Sequence, residues 1–162
     1  MSNTVFHPIE PLYDKNSRIL VLGSFPSQKS REQGFFYGHP QNRFWRVLAA
    51  VFGCETPNTV EQKRELLLSH RIAVWDVIAS CEIIGSSDSS IKNVVPNDLS
   101  VILKTANIKC IFVNGKTAEK FYNRYIKERV GRTAVCLPST SPANAAWSLE
   151  RLIEKWRTIG EY

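Results

Sequence analysis

Four short apolar runs decide what this chain can fold into: RILVLG at 18–23, RIAVWD at 71–76, IKCIFVN at 108–114 and TAVCLP at 133–138. Each is brief and nearly continuous in its apolar character, as expected of a parallel strand covered on both faces rather than an alternating surface strand. Between the runs the apolar spacing changes to three and four. Residues 42–53 put Phe44, Val47, Leu48, Val51 and Phe52 on one stripe that Gly53 ends, and 59–70 carries Val60, Leu66, Leu67 and Leu68 behind Thr59. A helix near 97–106 turns Leu99, Ile102 and Leu103 inward. Another over 115–130 sets Ala118, Phe121, Tyr122 and Tyr125 against a basic face, and a last one runs from Pro142 to about Thr158. Strands alternating with helices predict an α/β fold with a parallel sheet and right-handed crossovers.

Two stretches lie outside this pattern. Residues 1–17, with Pro8 and Pro11, read as a lead-in arm, and the polar, Ser-rich stretch 77–93 reads as a long loop. A length of 162 residues suits one domain spanning 1–162, since a chain of this size can bury a substantial core. No apolar run approaches the roughly 18 residues of a spanning helix, and the N-terminus lacks a basic start and an apolar stretch, so an intracellular protein away from membranes is expected. Cys54, Cys81, Cys110 and Cys136 are isolated from one another and only three histidines are present, so neither zinc nor an iron–sulfur cluster is expected and the thiols read as reduced. The net charge of +6 favours a polyanionic partner without saying which.

In open parallel sheets, ligands sit beyond the carboxyl ends of the strands. Here those ends run into GSFPS, WDVIAS, NGKT and STSPAN, the small and polar segments of the chain. Just upstream of the 42–53 helix lies GFFYGHPQN, whose three aromatics sit between Gly34 and Gly38 in a segment too interrupted for a core strand. Aromatics in such a loop suit a stacking platform, or else a satellite hydrophobic cluster.

Taken in order, the Gly23-Ser24-Phe25-Pro26 turn after the first strand, the GFFYGHPQNRFW block and the late STSPAN resemble the uracil-DNA glycosylase superfamily, most closely its hypoxanthine (deoxyinosine) branch. The resemblance spans roughly residues 18–157. It implies a three-layer α/β/α sandwich with a central four-stranded parallel sheet, and an enzyme that flips a deaminated base out of double-stranded DNA and hydrolyses its N-glycosidic bond without a cofactor. A monomer is expected. Such cleavage needs a base pocket, stabilisation of a cationic sugar and a departing base anion, and a positioned water.

The resemblance carries residue by residue. The water-positioning residue falls on Asn42, whose amide can orient a water but is no base at neutral pH; the same residue type is also among the best helix caps. Tyr37 matches the aromatic that stacks on the extruded base, and Asn114 matches the base-recognition position, although Asn114-Gly115 also has the look of a turn. Ser139, Thr140, Ser141, Pro142, Ala143 and Asn144 match the motif that enters the DNA, and they also read as a helix start whose amides can hold phosphate. Lys29, Arg43, Arg46 and Lys116 are the cations expected to contact phosphates.

The chain departs from its relatives at two points. Phe25 stands before the turn proline where the mismatch-specific branch has Asn and the uracil branch has Asp, and Ser139 stands where the uracil branch has His. Leaving-group stabilisation is therefore expected from backbone amides near Ser24 together with Asn114, while Asp76 and Asp88 remain acidic rivals to Asn42 whose alternative is capping or turn formation. Two other functions compete: removal of uracil or thymine from mismatches, and a non-catalytic nucleic-acid-binding α/β domain. A serine hydrolase built on Ser24 or Ser27 is disfavoured because GSFPS lacks a G-x-S-x-G elbow.

Overall fold

A computed structural model describes residues 3–84 and 87–162. The four apolar runs form strands β2 (Ile19–Gly23), β3 (Ile72–Asp76), β6 (Cys110–Asn114) and β7 (Val135–Leu137), joined as one parallel sheet in the order β3-β2-β6-β7. Register is continuous across the centre, with Val21 opposite Val74 on one side and Phe112 on the other.

The two faces of this sheet bury separate cores. Ile19, Val21, Ile72, Val74 and Phe112 meet helices α2 (Phe44–Phe52), α3 (Val60–Ser69) and α7 (Leu149–Trp156), where Trp156 is fully enclosed. Leu20, Leu22, Ala73, Ile111 and Val113 face α4 (Ser100–Leu103) and α5 (Lys116–Tyr125). Buried on both faces, the strands have no polar side to show, which is why they read as unbroken apolar runs. Thr59 opens α3 with a reciprocal capping box to Gln62, and Gly53 ends α2 in the left-handed region at φ 68°.

Four expectations need correction. The stretch 77–93 is not one long loop: β4 (Ile78–Ile83) leads through a short 3-10 turn at Asp88–Ser90 into β5 (Lys92–Pro96), while Gly85 and Ser86 lie outside the described residues. Nor is the arm unpaired. Strand β1 (Asn3–Phe6) runs antiparallel to β4, making a second sheet in the order β1-β4-β5, and Leu12 bridges to Val74. This sheet drives Ile78, Cys81 and Ile83 into the core that α5 also covers, so one outer layer holds strands as well as helices. The 115–130 helix breaks at Ile126, which turns into the core and separates α5 from α6 (Lys127–Val130).

The last correction concerns STSPAN. Helix α7 starts at Leu149 behind Ser148, whose Oγ accepts from the Arg151 amide, not at Pro142. Residues 139–147 instead form successive turns, with Asn144 Nδ2 reaching back to the Ser139 carbonyl at 3.0 Å. There is no helix terminus here to receive phosphate.

Candidate active site

A cleft of about 1420 Å³ opens beyond the carboxyl ends of β2, β3, β6 and β7. The sheet edge decides its floor: Gly23, Asp76 and Asn114 are the last residues of β2, β3 and β6, and Tyr37, Asn42 and residues 139–144 close around them. Ser24, Phe25, Asp88 and Lys116 also line it. The candidates scattered over the sequence therefore meet in one place.

The aromatic block splits in two. Phe35 and Phe36 enter the core, whereas Tyr37 is half-buried at the cleft with its ring stacked on Phe44 at 3.9 Å and 16°. Tyr37 sits at φ 50°, a costly backbone position for an aromatic residue, and its surroundings hold it there. Its carbonyl accepts from Trp45 Nε1 at 3.1 Å, and the next amide, Gly38 N–H, donates to Ser30 Oγ at 2.9 Å. Its buried hydroxyl has no hydrogen-bond partner among the described residues. Burial first, and the nearby Asp76 carboxylate second, push the phenol far above its usual range against the opposing influence of the neighbouring Asn114 side chain, so it stays protonated.

Asn42 and Asn114 are joined through Thr140. Asn114 Oδ1 accepts the Thr140 amide at 3.1 Å while Asn114 Nδ2 donates to Thr140 Oγ1 at 3.0 Å; that hydroxyl then donates to Asn42 Oδ1 at 2.8 Å. Asn42 Oδ1 also accepts the Phe44 amide at 2.9 Å. Since a backbone N–H can only donate, both amide orientations are fixed by this network. Asn42 thus does make the capping-type bond expected of it, and its oxygen is fully engaged; what remains for the cleft is Nδ2, a donor. Thr140 is completely buried and spends its polar groups in this network, so it cannot serve as a DNA contact.

Arg43 is also corrected. Its guanidinium donates to the carbonyls of Ser141 and Asn144 at 3.0 Å each and to that of Trp147, and its amide donates to the Thr140 carbonyl. The Ser141 and Asn144 carbonyls already accept the turn amides of Asn144 and Trp147, and the guanidinium fork adds a second donor to each while tying both to the Trp147 carbonyl. The charge is spent shaping the loop rather than held out for a phosphate. Pro142 and Ala143 project from that loop, exposed at the cleft rim, and Lys116 is exposed on the wall. Lys29 is exposed there too, 3.7 Å from Glu32. Gly115, at φ 93°, is where β6 passes Ser139 so closely that a β-carbon would lie 2.9 Å from the serine's own.

Of the acidic pair, Asp88 is exposed at the cleft mouth, its carboxyl pushed up by desolvation against an opposing Thr117 hydroxyl. Asp76 neither caps nor turns. It is 4% exposed, with Oδ2 2.7 Å from His7 Nε2. His7 belongs to the arm that sequence reasoning set aside. Its one available signal was a polar residue between two short apolar stretches of the arm, which does not distinguish a buried histidine from an exposed one. Phe25, half-buried, lies edge-on to the His7 ring at 6.0 Å.

The family model for the Uracil DNA glycosylase superfamily matches residues 10–159. The chain belongs to this superfamily. Similar members include a Methanosarcina barkeri hypoxanthine DNA glycosylase, 35% identical over 136 residues covering 83% of this chain and 85% of that one. A Methanosarcina acetivorans hypoxanthine DNA glycosylase is 33% identical over 148 residues, covering 90% and 92%. A Methanosarcina acetivorans protein solved by solution NMR and described as a candidate uracil DNA glycosylase superposes with a TM-score of 0.80 at 32% identity, covering 94% of this chain and 95% of that one. The superfamily's α/β architecture is thus shared nearly end to end, including the four-stranded parallel sheet whose carboxyl edge builds the cleft.

Proposed function

We propose that the protein is a monofunctional DNA glycosylase that extrudes a deaminated base, hypoxanthine above all, from double-stranded DNA and hydrolyses its N-glycosidic bond to leave an abasic site for repair. The carrying observation is the meeting of Tyr37, Asn42 and Asn114 in one cleft on the sheet's carboxyl edge, in a chain similar over most of its length to two hypoxanthine DNA glycosylases. Residues 1–162 act as one domain and one copy, in an intracellular compartment where DNA is found.

The reaction follows from what each group can do. A base entering the cleft stacks on the face of Tyr37 that Phe44 leaves open, a contact contributing about 1–3 kcal/mol toward an extrusion cost of a few. Asn114, held rigid by Thr140, retains an amide hydrogen and an oxygen lone pair for the base edge. As the bond to the sugar lengthens, positive charge grows on the sugar and negative charge on the base. Backbone amides near Ser24 and the Asn114 amide meet the base. Asn42 Nδ2 donates to a water whose remaining lone pair faces the sugar carbon; as the new C–O bond forms the water gives up a proton to solvent and the departed base anion takes one up, and a cation that electrophilic needs a placed water more than a strong base. The cleft rim at Ser141 and the exposed Pro142 and Ala143, with the Lys116 ammonium, contact the DNA backbone.

Base release from duplexes containing deoxyinosine, uracil, xanthine or a thymine mismatch tests the reading. Deoxyinosine should be the best substrate, with strand nicking only after alkali. A folded, DNA-binding protein that releases no base would instead be a binding module, and release of uracil alone would move it to the mismatch branch.

A further inference from the structure

The His7–Asp76 pair has no part in the chemistry above, yet it occupies the cleft floor. Asp76 ends β3 beside Gly23, and His7 reaches it from the antiparallel sheet, 69 residues earlier in the chain. The His7 side chain is 3% exposed and ringed by Phe25, Phe36 and Trp75. Its Nδ1 accepts the Ile9 amide at 3.2 Å, so Nδ1 carries the lone pair and Nε2 carries the proton that Asp76 Oδ2 receives. Both imidazole nitrogens are thereby satisfied. The carboxylate is not: among the described residues no hydrogen bond reaches Oδ1, which lies beside Gly23 and near the Tyr37 hydroxyl in the lining of the cleft. A β-carbon at position 23 would overlap Oδ1, so only glycine admits the carboxylate at this place in the cleft lining.

We infer that Asp76 is a specificity-determining residue whose Oδ1 accepts the ring N–H that deamination creates on a base, with His7 as the positioning residue that fixes the carboxylate's orientation. This rests on the base-release reading above. Hypoxanthine carries N1–H and uracil N3–H, whereas adenine N1 and cytosine N3 present lone pairs at those positions. A carboxylate is acceptor-only, so it pairs with the deaminated edge and sets lone pair against lone pair on the parent base. Burial sharpens the contrast, because an unpaired polar edge in that place has no water to turn to. Guanine carries the same N–H, so its refusal falls to other parts of the pocket.

The test compares single-turnover release from deoxyinosine with release from deoxynebularine, whose purine keeps a lone pair on N1, in wild type, Asp76→Asn, His7→Gln and His7→Phe. Asp76→Asn should slow deoxyinosine about 10–100-fold, the loss of one charge-assisted hydrogen bond, while nebularine is unchanged or faster because the new amide can donate to N1. His7→Gln, which can still donate to Oδ2, should retain the preference that His7→Phe loses. Equal slowing of both substrates by Asp76→Asn would make Asp76 a catalytic or purely structural group and overturn the inference, as would no change in either. Wild type inert on deoxyinosine would instead bring down the base-release reading itself. If Asp76→Asn does not fold, inhibition of wild type decides: free hypoxanthine should inhibit at least 10-fold more strongly than 1-methylhypoxanthine, by the same hydrogen bond, and equal inhibition overturns the assignment.

Discussion

Thr140 Oγ1 donates to Asn42 Oδ1 at 2.8 Å, and together with the Phe44 amide at 2.9 Å it gives the Asn42 side chain its direction. The oxygen is turned away into the network and the NH₂ is left for the cleft. The side chain therefore offers the cleft a donor and not an acceptor.

Asn42→Ala should therefore lower single-turnover base release by roughly 10²–10³, the scale of losing one preorganised polar group. Asn42→Asp separates donor from acceptor, since a carboxylate still accepts from Thr140 and Phe44 but offers the water no hydrogen. It should fold as well as wild type and lose about as much activity as the alanine variant. Near-normal release by either variant in its folded fraction would reduce Asn42 to a capping residue.

Thr140→Val keeps the volume and deletes the hydroxyl that links Asn42 to Asn114. One buried donor on Asn114 loses its partner, which costs about 1–3 kcal/mol. The denaturant midpoint should fall accordingly, and base release by the folded enzyme should fall as well because each amide keeps only one of the two bonds that orient it. Unchanged release would show that the cleft does not depend on the network.

Arg43 and Lys116 should separate in their response to salt. Lys116→Ala should weaken DNA binding and reduce the log–log salt slope by about 0.9, the value of one phosphate contact. Arg43→Ala should leave that slope in place, because its guanidinium is bound to the carbonyls of Ser141, Asn144 and Trp147. It should instead destabilise residues 139–147, seen as faster amide exchange there. A reduced slope in Arg43→Ala would restore it as a phosphate contact.

Tyr37→Phe removes a buried hydroxyl that has no partner among the described residues while keeping the ring stacked on Phe44. Stability at neutral pH should hold or rise by about 1 kcal/mol, since an unsatisfied group is removed. The phenol titrates higher folded than unfolded, so its contribution is intact below about pH 10 and is lost as pH rises beyond it. Urea midpoints should fall less steeply above that pH in Tyr37→Phe than in wild type. Tyr37→Ala, which loses the ring, should slow release from an intact duplex more than from a single strand, where extrusion costs less.

The strands were legible in the sequence because burial on both faces demands unbroken apolar runs, and α2 and α3 because one-sided packing imposes a spacing of three and four. The sheet's carboxyl edge followed, and with it the region where Tyr37, Asn42 and Asn114 meet. What the tertiary structure decided is the use of each polar group, since a polar residue's local sequence does not say which distant partner satisfies it. Arg43 could equally have met a phosphate, but the turns place three loop carbonyls, roughly 100 residues away in the chain, within reach of its guanidinium. Pro142 is a good first residue of a helix, yet the turns held by Arg43 and Asn144 moved the helix start to Leu149. The arm and the Ser-rich stretch showed no strand pattern because β1, β4 and β5 become a sheet only by pairing with one another across the chain. That pairing brings His7 to Asp76, a contact that local sequence cannot show because each partner is chosen by the other's position in space.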